Sequence, residues 1–200
     1  MMNREQALEA LNWASGQNPG PWREHSLTAA RAANTIAAAC GMDAERAYVL
    51  GAMHDIGRYE GVRGMHHAIA GYEWLHARGE DEIARICLTH SFPRMRIDDA
   101  ASELDLTDAE LSFLRDYLSA RPADEYDRLI QLCDAISLPG GACIVEKRLV
   151  DVALRHGVTE LSIEKWKAFL QLKKQFDRKC GCSIYSLLPD VLENSSVDLV

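Results

Sequence analysis

Nowhere in the 200 residues does an apolar run reach the roughly 18 to 20 positions that a membrane-crossing helix needs. No membrane partner is therefore expected. Positive charge is short too: 22 Lys and Arg stand against 30 Asp and Glu, a formal net charge of −8. Binding along a nucleic-acid polymer draws on a basic surface that releases counterions, so that class of partner is excluded. A small phosphate compound is not excluded, because a bound metal ion can be the largest charge in an otherwise acidic protein's site. The opening residues Met1-Met2-Asn3-Arg4-Glu5-Gln6 lack the positive-then-apolar pattern of a signal peptide, and a cytoplasmic protein is the expectation. Six cysteines, at 40, 87, 133, 143, 180 and 182, show no doubled pair of the structural-zinc kind and read as buried free thiols of a reducing compartment. The Cys180-Gly181-Cys182 cluster lacks a second pair, and no role is assigned to it.

Strand-like alternation, internal repeats and low-complexity tracts are scarce as well, whereas helix-period apolar patterns recur along nearly the whole chain. The fold class expected is all-α. A hydrophobic content of 48% with 26% charged residues is ordinary globular composition for one domain with an appendage. Asn3 followed by Gln6 makes a capping box for a helix near 4–15, which Gly16-Gln17-Asn18-Pro19-Gly20-Pro21 breaks. A second helix spans about 22–40 and stops at Gly41; Asp43 caps a third that ends near His54-Asp55. After a turn rich in glycine (57, 61, 64), helices resume at about 66–78 and 81–90. Residues 91–106 read as a loop able to form a lid, with Asp98 and Asp99 solvated. Thr107 with Glu110 opens a helix to about 120, and Pro122 starts another to about 138. Two buttressing helices follow at about 143–156 and 162–179, the latter capped by Ser162, before a loosely held tail from Glu193. The chain divides into an N-terminal helix and linker (1–21), a helical domain (22–138) and a C-terminal helical extension packed on the same core (139–200).

Several polar residues fall on the inward stripes of these helices. His25 shares a face with Ala29, Ala32 and Ile36, and His54 with Ala47 and Leu50. Asp134 aligns with Ile130 and Leu138. An ionised carboxylate among apolar neighbours needs a cation, an arginine or several donors, since uncompensated burial costs several kcal/mol or more. A divalent ion held by two imidazoles and two carboxylates would satisfy His25, His54, Asp55 and Asp134 together, and the mixed N/O set suits iron, manganese or zinc. Adjacent helical residues point about 100° apart, so His54 and Asp55 can share an ion only at a helix end or groove, and Gly57 favours an end. His67 and His90 lie on inward stripes of the next two helices. His76 and His156 sit near helix C-termini and are given no chemistry; His66 is left open. Trp74, Trp166 and Phe169 read as core.

These segments, His25-Ser26, His54-Asp55-Ile56-Gly57-Arg58 and Leu132-Cys133-Asp134, resemble the HD-domain superfamily of metal-dependent phosphohydrolases over residues 22–138. His67-x-x-x-Gly71 and Thr89-His90-Ser91 are similar to the branch with two extra histidines, which includes the hydrolases that cleave diadenosine tetraphosphate symmetrically. The cyclic-dinucleotide phosphodiesterase branch is not matched: Ala68 follows the paired histidines and Glu73 follows Gly71-Tyr72. The resemblance implies an HD-domain helical bundle in which His25, His54, Asp55 and Asp134 hold one divalent ion (iron, manganese, cobalt or zinc). It implies that His67 and His90 hold a second ion or touch phosphate, that Asp55 bridges, and that Arg58 contacts a phosphate oxygen. The activity implied is hydrolysis of a small phosphate ester or anhydride, a nucleotide or dinucleoside polyphosphate, by metal-bound water acting with Asp55. Two other readings stay open: a regulatory module that binds metal and nucleotide without turnover, and an iron-dependent oxygenase on the same scaffold. The oligomeric state is open, a homodimer being one option.

Overall fold

A computed structural model of the chain describes residues 2–100 and 102–198. Helices α1 (Arg4–Gln17), α2 (Trp22–Ala39) and α3 (Ala44–Met53) lead into a 3-10 turn at Ile56–Glu60, followed by α4 (His66–His76) and α5 (Asp81–Thr89). Then come α6 (Asp108–Ala120), α7 (Glu125–Asp134), a hairpin of β1 (Ser137–Leu138) and β2 (Gly141–Ala142), α8 (Val145–His156), α9 (Ser162–Cys180) and α10 (Val191–Ser196). Among the described residues no helix is long and apolar enough to cross a membrane.

Among the described residues, side-chain caps set four of the helix starts. Asn3 and Gln6 form the reciprocal capping box of α1, Thr107 and Glu110 that of α6, and the Asp43 side chain accepts from the Arg46 N–H of α3. At α7 the expectation fails: Pro122 does not open the helix, because Asp124 and Asp127 cap each other's backbone two residues later. The helix also stops early. Ser137 Oγ donates to the Cys133 carbonyl at 2.6 Å and Ser137 itself pairs with Ala142 in the hairpin, so Leu138 lies on β1 and not on the face of Asp134.

The centre of the bundle is α2, whose small residues allow close approach. A Cβ at Gly51 of α3 would stand 2.8 Å from the Ala30 Cα, so α2 and α3 touch almost backbone to backbone. The stripe Phe169, Leu172 and Phe176 buries α9 against this core, at the i, i+3, i+7 spacing of one helix face. Leu161, not Ser162, occupies the cap position of α9. Over its described residues the tail is held rather than loose: Asn194 Nδ2 donates to the Ala142 carbonyl at 3.0 Å, and Ser195 Oγ accepts the Ile144 N–H at 3.0 Å, while 199–200 lie outside the described residues. The 91–106 segment, in which residue 101 lies outside the described residues, is pinned on either side of it as well. Asp99 is fully buried, accepting from Arg94 Nε at 2.7 Å, and the Asp105 carboxylate takes the N–H groups of Gly64 and His66 at 2.9 Å.

Two further ties are tertiary. Asp127, with no exposed surface, accepts both contacts of Arg85 Nε at 3.0 Å and the Thr89 hydroxyl at 2.8 Å, joining α5 to α7. Asp127→Ala would remove the nearer counter-charge of Arg85 and leave it only Asp124 at 3.8 Å; since that side chain keeps 19% exposure, the expected loss is near the lower end for a broken buried pair, about 3 kcal/mol. Denaturant unfolding measures it, and an unchanged midpoint would show the network to be dispensable. Cys40 and Cys180 form a disulfide across 140 positions, correcting the reading of all six cysteines as free; Cys87, Cys133 and Cys143 are buried thiols and Cys182 is exposed. The bond ties the end of α2 to the end of α9. Its reduction, or Cys40→Ser, is expected to lower stability by about 2–4 kcal/mol. Equal unfolding midpoints with and without reductant would contradict this.

Candidate metal centre

Each predicted histidine reaches one spot for a local reason. His25 projects from α2, His54 is the C-cap of α3, Asp55 follows it at the start of the 3-10 turn, His67 lies in the first turn of α4, and His90 is the C-cap of α5. The helix ends therefore let His54 and Asp55 converge. Gly57 matters through close approach rather than an unusual φ: a Cβ there would meet the His67 carbonyl oxygen at 2.0 Å and the Gly71 nitrogen at 2.4 Å. Only glycine lets α4 lie near enough to bring His67 to Asp55.

The imidazoles are all oriented in the same way. Nδ1 donates to a backbone carbonyl in each case: His25 to Ser137 at 3.1 Å, His54 to Gly51 at 2.7 Å, His67 to Gly64 at 2.5 Å and His90 to Cys87 at 2.9 Å. A carbonyl can only accept, so these nitrogens carry protons, and a neutral ring so oriented presents its bare Nε2 lone pair to the site. Those lone pairs face one another. His25 and His54 Nε2 are 3.3 Å apart, His67 and His90 Nε2 3.4 Å. Carboxylates close the remaining gaps: Asp134 Oδ1 is 3.0 Å from His25 and 4.0 Å from His54, and Asp55 Oδ1 is 3.1 Å from His67 and 3.5 Å from His90. Asp55 Oδ2 lies 3.9 Å from His54 and accepts from Arg58 Nε at 2.5 Å.

Lone pair against lone pair is repulsive unless a proton or a metal ion intervenes. Burial works against the proton, pushing His25 below the ordinary imidazole range and His90 down to about 3. Burial alone would raise the Asp55 carboxyl, but Arg58 and the imidazoles outweigh it and hold that group well below the usual carboxylate range. Asp55 Oδ1 is buried with no hydrogen-bond partner. The spacings also suit an ion. Ligands about 2.1 Å from one centre lie about 3.0 Å apart at a right angle, about 3.4 Å at the tetrahedral angle and up to about 4.2 Å when opposed. The observed separations, 3.0–4.0 Å, fall in that range. Two overlapping triads, His25-His54-Asp55 and Asp55-His67-His90, can each hold a divalent metal, and Asp55 belongs to both.

Asp134 keeps 19% of its side-chain surface because it faces a cavity rather than the packed interior. That cavity, about 630 Å³, is also lined by Arg58, His67 and His90. An HD-domain family model matches residues 22–138. The chain belongs to the HD-domain family. No curated protein and no solved structure matches it significantly. The HD segment supplies every residue of the two triads, while much of the facing cavity wall comes from α8 and α9 beyond it. Reading the extension as buttress missed this. His156, Trp166, Phe169, Arg148 and Lys165 line the cavity, and Trp22 joins them from α2. No periodic signal distinguishes these positions, since α8 and α9 bury one face on the core and turn the neighbouring residues to the cavity. His66 stands apart, with its Nε2 3.0 Å from Glu60, and His76 pairs with Asp81 at the surface.

Proposed function

We propose that this HD-domain protein is a metal-dependent phosphohydrolase acting on a phosphate ester or anhydride of a small molecule, a nucleotide or dinucleoside polyphosphate. The observation that carries the reading is the pair of Nε2 clusters on either side of the Asp55 carboxylate, His54 nearest its Oδ2 and His67 and His90 nearest its orphaned Oδ1. The triad of His25, His54 and Asp55, joined by Asp134, would hold one ion; His67 and His90 with Asp55 would hold a second or grip the phosphate. A divalent ion in such a site supplies Lewis acidity and makes a bound water acidic enough to attack near neutral pH.

The protein's own groups do the rest. The carbonyl contacts at Nδ1 lock ring orientation and tautomer, so the Nε2 donors are preorganised and need no reorganisation on loading. Arg58, half held by Asp55 and 30% exposed at the cavity floor, is placed to take a phosphate oxygen as it gains charge. A cavity of about 630 Å³ lies in the size range of nucleotide-sized ligands, and its apolar side carries Trp22 and Trp166. The acidic balance of the whole chain supports a small substrate rather than a nucleic-acid polymer.

Protein loaded in turn with iron, manganese, cobalt and zinc should release phosphate or cleaved nucleotide from at least one member of a panel of nucleotides and dinucleoside polyphosphates. Silence across every metal and substrate would overturn the reading. Saturable stoichiometric binding without turnover would favour a regulatory module instead.

A further inference from the structure

The cavity wall outside the HD segment is rich in cations. Arg148 and Arg155, seven residues apart on one face of α8, line it with Lys165 of α9. Asp151 sits between the two arginines, accepting from Arg148 Nη1 at 2.6 Å and from Arg155 Nη2 at 2.9 Å. One carboxylate thus answers two guanidiniums. The Arg148 side chain is only 16% exposed, and its Nε is buried with no hydrogen-bond partner. A buried charged donor without an acceptor is costly, so a site that leaves one open is suited to an anionic oxygen from outside.

Lys165 adds to the imbalance. Its ammonium donates to the Asp99 main-chain carbonyl, a neutral acceptor, and burial pulls it down to about 8 against the attraction of Asp99 and Asp134. His156 reports where these charges gather: burial lowers its pKa, and so do Arg155, Arg148 and Arg58. Arg58 from the HD segment and the α8 arginines therefore act on one region of the cavity. The acidic groups lining the same space, Asp55, Asp134, Asp151 and Asp98, include the candidate metal ligands. Divalent ions at the triads would leave the cavity more positive still.

We propose that Arg148 and Lys165, with Arg155 at the rim, form a second anion subsite that grips a phosphate other than the one being hydrolysed. The preferred substrate is then a chain of linked phosphates rather than a monoester. This rests on the phosphohydrolase reading for its catalytic meaning, but not for its binding. Charge-assisted contacts from two cations to a polyphosphate should make each worth about tenfold or more in affinity.

Calorimetric titration of inorganic tripolyphosphate and orthophosphate into the full chain, in chelator and without added metal, tests the subsite directly. Wild-type protein should bind tripolyphosphate more tightly than orthophosphate. Arg148→Ala and Lys165→Ala should each weaken tripolyphosphate by about tenfold or more with orthophosphate changed by less than about twofold, and Arg148→Lys should recover part of the loss. With loaded enzyme, the same alanine variants should raise KM for a nucleoside polyphosphate while kcat stays within about threefold. Unaltered unfolding midpoints exclude collapse of α8, and Arg148→Lys serves if the alanine variant misfolds. Equal binding of the two anions by wild type, or full tripolyphosphate affinity in both alanine variants, overturns the subsite. Tripolyphosphate binding that depends on Arg148, in a protein that hydrolyses nothing, would instead overturn the phosphohydrolase reading and leave the subsite standing.

Discussion

Asp55→Asn is expected to strip the protein of metal and to lower phosphate-ester hydrolysis by at least about a hundredfold. Changing a group that merely orients a metal ligand already costs about 10- to 100-fold, and Asp55 is shared by both triads. The expected effect on folding has the opposite sign. An amide at 55 can point N–H donors at the bare His67 and His90 Nε2 atoms, 3.1 and 3.5 Å from Oδ1, and so relieve the repulsion that an ion otherwise relieves. Metal content and hydrolysis should therefore fall, while the thermal midpoint, compared between the two proteins metal-free in chelator, holds or rises. Wild-type metal content by elemental analysis in this variant would break the assignment. A midpoint that drops sharply would show that the carboxylate is a structural partner of Arg58 first and a ligand second.

Gly57→Ala should cost about 3 kcal/mol, at the upper end for overpacking, because the added methyl meets only the backbone of α4, at His67 and Gly71, and no side-chain rotamer can give way. For a chain of 200 residues that corresponds to a thermal midpoint lower by about 6–12 °C. Function should suffer beyond stability. The variant can fold only by moving α4 off the 3-10 turn, which carries His67 away from Asp55 and dismantles the second triad while leaving His25 and His54 in place. Metal stoichiometry measured well below the midpoint reads this directly. Wild-type stoichiometry together with a midpoint shifted by less than about 2 °C would refute the close-approach argument.

Much of this protein is legible along the chain because the deciding interactions are short. Capping at Asn3, Asp43 and Thr107 involves partners three residues away, and the inward stripes of α2 and α3 follow from the helical period. The convergence of His54 and Asp55 also follows locally, since adjacent residues can aim at one point only where a helix ends. The helical period puts Asp134 on one face with Ile130 and Leu138, but only Ile130 shares its helix, and Leu138 belongs to the hairpin. What the carboxylate faces is a cavity and His25, not a closed core.

The sequence by itself determined the helical class, most helix starts, and the four histidines and two aspartates that meet in the two triads and their cavity. Tertiary structure alone decided the rest. The Ser137 carbonyl that fixes His25 comes from a segment 112 residues away, Cys180 finds Cys40 across 140, and the cations facing the histidines arrive from helices outside the family segment. Period and capping report which side of a helix is apolar. They carry no information about which distant polar group will fill the space opposite, because that is settled by how whole helices pack once their buried faces have met.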